Sequence, residues 1–193
     1  MLTHLTAPEK QVFVGNVLFV LCCAFYLAWW LVAFKPTGAV TGPKSGWLLL
    51  PATVCGLLGV IEAIRGISAA PVGSRWLPGA AIIVGGLVVY LILLAVTSGI
   101  FKRPATTELI LIVGWGMLAL AEINALVGSG RLSAGLAVGL TLVTGLAVVV
   151  SVICYALYYR LDRRAAYVAG LIPLVLAALL MAAVSASLVL RRP

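Results

Sequence analysis

Six stretches of almost unbroken apolar residues alternate with short segments that gather Gly, Pro, Lys and Arg. A helix needs about 20 residues to cross the hydrocarbon core of a bilayer. The pattern predicts such helices over residues 11–34, 46–68, 79–101, 107–127, 132–159 and 165–190. The expected fold class is therefore all-α: a polytopic membrane protein, with a six-transmembrane-helix bundle in one integral membrane domain over 1–193. The connections carry helix breakers: Pro36, Gly38, Gly42 and Pro43 in the first, then Pro71, Gly73 and Pro78 in the second. Ala7-Pro8-Glu9-Lys10 has the form of a helix start, since Pro is tolerated in a first turn.

The helix ends hint at an internal repeat. Tyr26-Leu-Ala-Trp29-Trp30 resembles Tyr155-Ala-Leu-Tyr158-Tyr159, and Tyr90 holds the equivalent place in the third helix. Tyr26 to Tyr90 is 64 residues and Tyr90 to Tyr155 is 65. Glu62 and Glu122 fall at a similar step on the second and fourth helices, and the matching place in the sixth lies near Ala182. The reading is three tandem helical hairpins in one orientation. Aromatics also gather at bilayer interfaces for their own reasons, and as interfacial anchors these tyrosines need no ligand.

Composition sharpens the class. The chain is 64% hydrophobic and only 9% charged, against about 25% charged for a soluble domain. The net charge of +8 comes from 13 Lys and Arg, almost all between apolar runs. That placement serves topology and anionic headgroups, so membrane lipids are expected partners and nucleic acid is not. The face bearing the N-terminus has Lys10, Arg65, Arg75, Arg131, Arg191 and Arg192; the opposite face has Lys35, Lys44, Lys102, Arg103, Arg160, Arg163 and Arg164. The small excess on the second face favours a cytoplasmic position for it and an external position for both termini. No cleavable signal peptide is evident, because the first apolar run is too long and ends in aromatics. The Ala, Gly and Val content fits a bacterial inner (cytoplasmic) membrane.

Candidate chemistry is confined to a few polar residues inside the apolar runs. Glu62 has Gly59, Arg65 and Gly66 on its side of the helix, and small residues let a neighbouring helix approach. It forms either an ion pair with Arg65 at i, i+3 or a proton- or cation-binding carboxylate. Glu122 has no basic residue within a turn, so it is the stronger candidate for a proton carrier. The structural alternatives are a neutral acid hydrogen-bonded to another helix, or a pair with Arg65 across the bundle. Trp115 shares its helix face and offers an aromatic wall for a cation, although core packing serves equally well. Asn124 lies two positions beyond Glu122 and points away from it. Glu62, Glu122, Arg65, Trp115 and Asn124 are thus the expected substrate- or proton-binding set. Asn16, Thr97, Ser98, Thr141, Thr144 and Ser151 are further intramembrane polar groups, able to bond across helices or to their own backbone.

Other chemistries find no support. Cys22, Cys23, Cys55 and Cys154 lie in apolar runs without a C-x-x-C spacing, and read as small hydrophobes. With one histidine, His4, no histidine-based metal site or triad is available, and no phosphate loop or nucleophile motif occurs. No metal and no cofactor are expected, and no enzyme activity. The functional expectation is a small transporter or channel, proton- or cation-coupled through intramembrane carboxylates, with the Gly-rich faces of helices three and five favouring a homo-oligomer. The alternatives are a non-catalytic structural or accessory membrane protein, or a lipid-binding one.

Overall fold

The computed structural model describes residues 4–33, 43–69, 79–101, 106–158 and 160–190. They form six α-helices: α1 (Ala7–Ala33), α2 (Leu49–Ala69), α3 (Gly79–Phe101), α4 (Thr106–Gly128), α5 (Ala134–Tyr158) and α6 (Arg163–Leu190). A short 3-10 helix, Pro43–Leu48, leads into α2. All six are long and apolar enough to cross a membrane. The connections over 34–42, 70–78 and 102–105, with Lys35, Arg75, Lys102 and Arg103 of the charge count, lie outside the described residues, as do Arg191 and Arg192.

The first helix begins at Ala7 rather than near residue 11, and its start has a clear cause. Thr6 is the N-cap, and Lys10 N–H already donates to the Thr6 carbonyl at 3.0 Å. The Glu9 carboxylate reaches back to accept from the Thr6 backbone N–H at 2.8 Å. This is the glutamate half of a T-x-x-E capping box. At the same end of the bundle, α4 stops in a Schellman turn. Gly130 takes φ +73°, Arg131 N–H donates to the Leu126 carbonyl at 2.9 Å, and Gly130 N–H donates to Val127 at 2.9 Å. Helix α2 starts three residues later than its apolar run, because Pro43–Leu48 winds as 3-10 before the α-helix takes over.

Helices α1 and α2 lie antiparallel at very short range. The contact stripe on α2 is Ala52, Gly56, Gly59, Ala63 and Gly66, a spacing of four and three that keeps small residues on one face. A Cβ placed on Gly15 would lie 2.7 Å from the Ala63 nitrogen and 2.8 Å from the Gly59 oxygen. One on Gly66 would lie 2.7 Å from the Pro8 oxygen. Backbone meets backbone here, which is how small residues hold membrane helices together when apolar side chains gain nothing by leaving lipid.

Helix α4 is the most enclosed of the six, and α3 the least. α4 packs on α3, α5, α2 and α6, and α1 also packs on α6. Two buried clusters line the interior: Val12, Ile123, Leu126, Ala137, Val184 and Leu188 in one, and Cys23, Trp115, Ala119, Ala147, Leu180 and Met181 in the other. α3 packs on α4 with Gly86 against Met117, while Ile83, Leu87, Leu91 and Ile92 stay exposed. For a chain of this composition that outer surface is what hydrocarbon would cover. At the far end of the bundle Trp30 joins three helices: its ring lies 6.0 Å from that of Tyr158, it rests on Gly170, and its Nε1–H donates to the Tyr167 carbonyl at 3.3 Å.

Candidate functional site

Glu122 sits on α4 six residues before Gly128, about 9 Å from that helix end at 1.5 Å per residue. Its neighbours along the helix, Ala119, Ile123, Ala125 and Leu126, are all buried. The residue is 0% exposed, and neither carboxylate oxygen has a hydrogen bond. Its polar neighbour is the Asn16 carboxamide from α1. Asn16 is 1% exposed, and its Nδ2 likewise lacks a partner. The two groups face each other within reach of a hydrogen bond, and none of good geometry is closed between them. The ion pairs Arg65–Glu62 and Arg131–Glu9 lie elsewhere.

Such an arrangement is unusual on energetic grounds. Buried polar groups are nearly always satisfied, and one left unpaired costs about 1–3 kcal/mol, more for a charge. Three orphan atoms meet at one place: both oxygens of Glu122 and Nδ2 of Asn16. Ser185 Oγ on α6 and Trp115 Nε1, two turns earlier on α4, are also buried without a partner. By contrast, other intramembrane hydroxyls are absorbed by their own helices. Thr97 donates to the Leu93 carbonyl at 2.7 Å, Ser98 to Leu94 at 2.6 Å, Thr144 to Leu140 at 2.8 Å and Ser151 to Ala147 at 2.7 Å. They back-bond as intrahelical Ser and Thr do.

Glu62 has a different setting. Its Oε1 accepts from Arg65 Nη1 at 2.8 Å, and the side chains are 26% and 64% exposed respectively. It lies at the edge of the small-residue stripe, whose centre at Gly59, Ala63 and Gly66 faces α1. Arg65 is therefore engaged on the outer surface of α2 and does not reach Glu122. Trp115 is buried in the second apolar cluster with Cys23, Ala147 and Met181. Asn124 is buried on α4, two positions and so more than half a turn around from Glu122. Of the five residues singled out from the sequence, the structure brings together Glu62 with Arg65. Glu122 stands apart from both.

One charged site has no counterpart in the sequence reading. Arg131, just after the Schellman turn, donates Nε to Glu9 Oε1 at 2.6 Å and Nη2 to Glu9 Oε2 at 3.0 Å. Its Nη2 also donates to the His4 carbonyl at 3.0 Å. The pair is largely buried and ties the start of α1 to the α4–α5 turn. A crevice of about 20 Å³ opens beside it, lined by Thr6, Pro8, Glu9, Gly66, Ala125 and Ser129 among others. That is room for roughly one water, and Ala125 places it about one turn of α4 from Glu122. The T-x-x-E signature of Thr6–Glu9 was available in the sequence; the partner 122 residues away was not.

Among the described residues no three His, Cys, Asp or Glu side chains come together as metal ligands would, and the four cysteines are free thiols. Comparison with protein families, with characterised proteins and with solved structures yields no match, so the site has to be read from its own chemistry.

Proposed function

We propose that this protein is a small membrane transporter or channel of a cytoplasmic membrane, bacterial by its composition, in which Glu122 carries the coupling proton or cation. One observation supports this above the others: a carboxylate wholly enclosed between helices, with no protein hydrogen bond of good geometry on either oxygen and the Asn16 amide facing it. An acid inside an apolar bundle is expensive. A structural role would be expected to close its hydrogen bonds, because a half-satisfied polar pair is less stable than an apolar one. A group that must gain and lose a charge cannot have both states fully satisfied in one geometry.

On this reading the enclosed geometry is an occluded state, and the crevice beside Glu9 marks the side from which water approaches. The three-hairpin repeat belongs to the same proposal. Its support is the packing of α1 on α2, α3 on α4 and α5 on α6, alongside the recurrent tyrosines. Self-association is supported by open glycines: nothing lies within 4 Å of a Cβ placed on Gly85, Gly135 or Gly139. The accessory-protein reading draws on the Glu62–Arg65 pair, which is purely local, and on the tight α1–α2 contact.

The test is flux. Purified protein goes into liposomes holding a pH-sensitive dye, with imposed ion gradients, beside the Glu122→Gln variant. Dissipation of a proton or cation gradient by wild type and its loss in the variant is the expected result. Equal flux in both would end the role of Glu122, and no flux in either under all gradients would move the accessory reading to first place.

A further inference from the structure

We infer that Asn16 is the positioning residue of Glu122, donating its Nδ2–H to the carboxylate whenever Glu122 is ionised, and that the pair is a proton site rather than a metal-cation site. This rests on the reading of Glu122 as an ion carrier and names the ion.

The argument starts from what surrounds the acid. α1 and α4 meet through side chains, with Val12 and Phe13 of α1 in the cluster that holds Ile123 and Leu126 of α4. Asn16 is one turn further along α1 than Val12 and Phe13, so it comes level with the turn of α4 that carries Glu122. It is 1% exposed and its amide nitrogen has no other partner. An amide N–H is a donor, and an ionised carboxylate accepts only. When the acid is protonated the amide has less to gain, and the open geometry follows.

Charged groups offer no substitute for Asn16. On α1, Glu9 is held by Arg131 and Lys10 is exposed. On α2, Glu62 and Arg65 pair with each other at the surface. Helices α3 and α5 carry no charged residue, and α6 has only Arg163 and Arg164 in its first turn, at the opposite end from Ser185. The titratable thiol of Cys23 lies in the other cluster, with Trp115. The polar group the structure sets against Glu122 is the Asn16 amide, and no cluster of three His, Cys, Asp or Glu forms among the described residues. A desolvated metal cation takes several oxygen ligands, whereas a proton needs only one.

The experiment follows the carboxylic C=O infrared band of Glu122 during a pH titration of the full-length protein in lipid nanodiscs, the band being assigned by its loss in Glu122→Gln. In Asn16→Leu the band should persist at least one pH unit further into the alkaline range than in wild type, a tenfold change in proton affinity. Asn16→Ser, which restores a donor, should recover part of the shift. Asn16→Ala gives the same comparison if Leu does not fold. Sodium or lithium added at fixed pH should leave the band unchanged. A titration identical in wild type, Asn16→Leu and Asn16→Ala would overturn the inference, and so would loss of the band on adding sodium. The liposome assay is separate: flux equal in wild type and Glu122→Gln ends the transport reading whatever the infrared shows. Flux lost in Glu122→Gln with an unmoved titration in the Asn16 variants removes Asn16 alone.

Discussion

Arg131 grips Glu9 with two nitrogens, Nε on Oε1 at 2.6 Å and Nη2 on Oε2 at 3.0 Å. The side chains are 14% and 7% exposed, so this is a largely desolvated pair. Removing one partner strands the other, which costs about 3–5 kcal/mol for a buried pair. Arg131→Ala should therefore lower stability by about 3 kcal/mol, the lower end because the pair is near a helix end. Replacing both by Leu should cost much less. Denaturant unfolding of the two variants in micelles measures the difference; equal losses would mean that the pair is not desolvated.

The glycines divide into those that touch and those that do not. Gly15→Ala forces a methyl against α2 backbone, where neither partner can rotate away, and overpacking of this kind costs about 1–3 kcal/mol. Gly139→Ala meets nothing within 4 Å and gains up to about 1 kcal/mol of helix propensity. Opposite signs for the two substitutions in one unfolding assay are expected. A neutral Gly15→Ala would show that the α1–α2 contact is looser than its geometry.

Trp30 is more than an interfacial anchor. Its indole N–H donates to the Tyr167 carbonyl and its ring covers Gly170, so it closes α1 onto α6. Trp30→Phe keeps most of the ring and loses the donor, at about 1 kcal/mol. Trp30→Ala should cost about 3–5 kcal/mol. If Phe is as damaging as Ala in thermal unfolding, the hydrogen bond rather than the packing holds this end.

These contrasts show what the sequence could and could not reveal. The six spans were legible, because twenty-residue apolar runs have one physical reading in water-poor surroundings. The boundaries at Ala7 and Leu49 shifted through local chemistry: a capping box and a 3-10 turn. Facing was not legible. In a soluble helix polarity marks the inner side, but these helices are apolar all round. Arg65 at i+3 marked Glu62 as the acid with a local partner, but nothing in the sequence showed that Glu62 lies at the surface and Glu122 is sealed. Asn16 and Arg131 acquire meaning only through partners far along the chain, at Glu122 and Glu9.

The Glu62–Arg65 pair should matter little. An exposed i, i+3 pair contributes about 0.2–0.5 kcal/mol in water, and Arg65 is 64% exposed. Arg65→Gln and Glu62→Gln should each change stability by less than about 0.5 kcal/mol and leave any liposome flux intact. Loss of flux in Glu62→Gln would instead place that acid in the path.

Glu122 gives the sharpest test of purpose, because stability and function should move in opposite directions. Its two orphan oxygens and the facing Asn16 amide each carry an unsatisfied cost of about 1–3 kcal/mol. Replacing a poorly satisfied buried polar group by an apolar one of similar size is often stabilising. Glu122→Leu combined with Asn16→Leu should thus unfold at higher denaturant than wild type, by about 1–3 kcal/mol, while any gradient-driven flux disappears. A protein kept only for its architecture would have no reason to hold this acid against such a gain. If the double variant is instead less stable than wild type, the Glu122–Asn16 contact is holding α1 to α4, and the pair is structural glue.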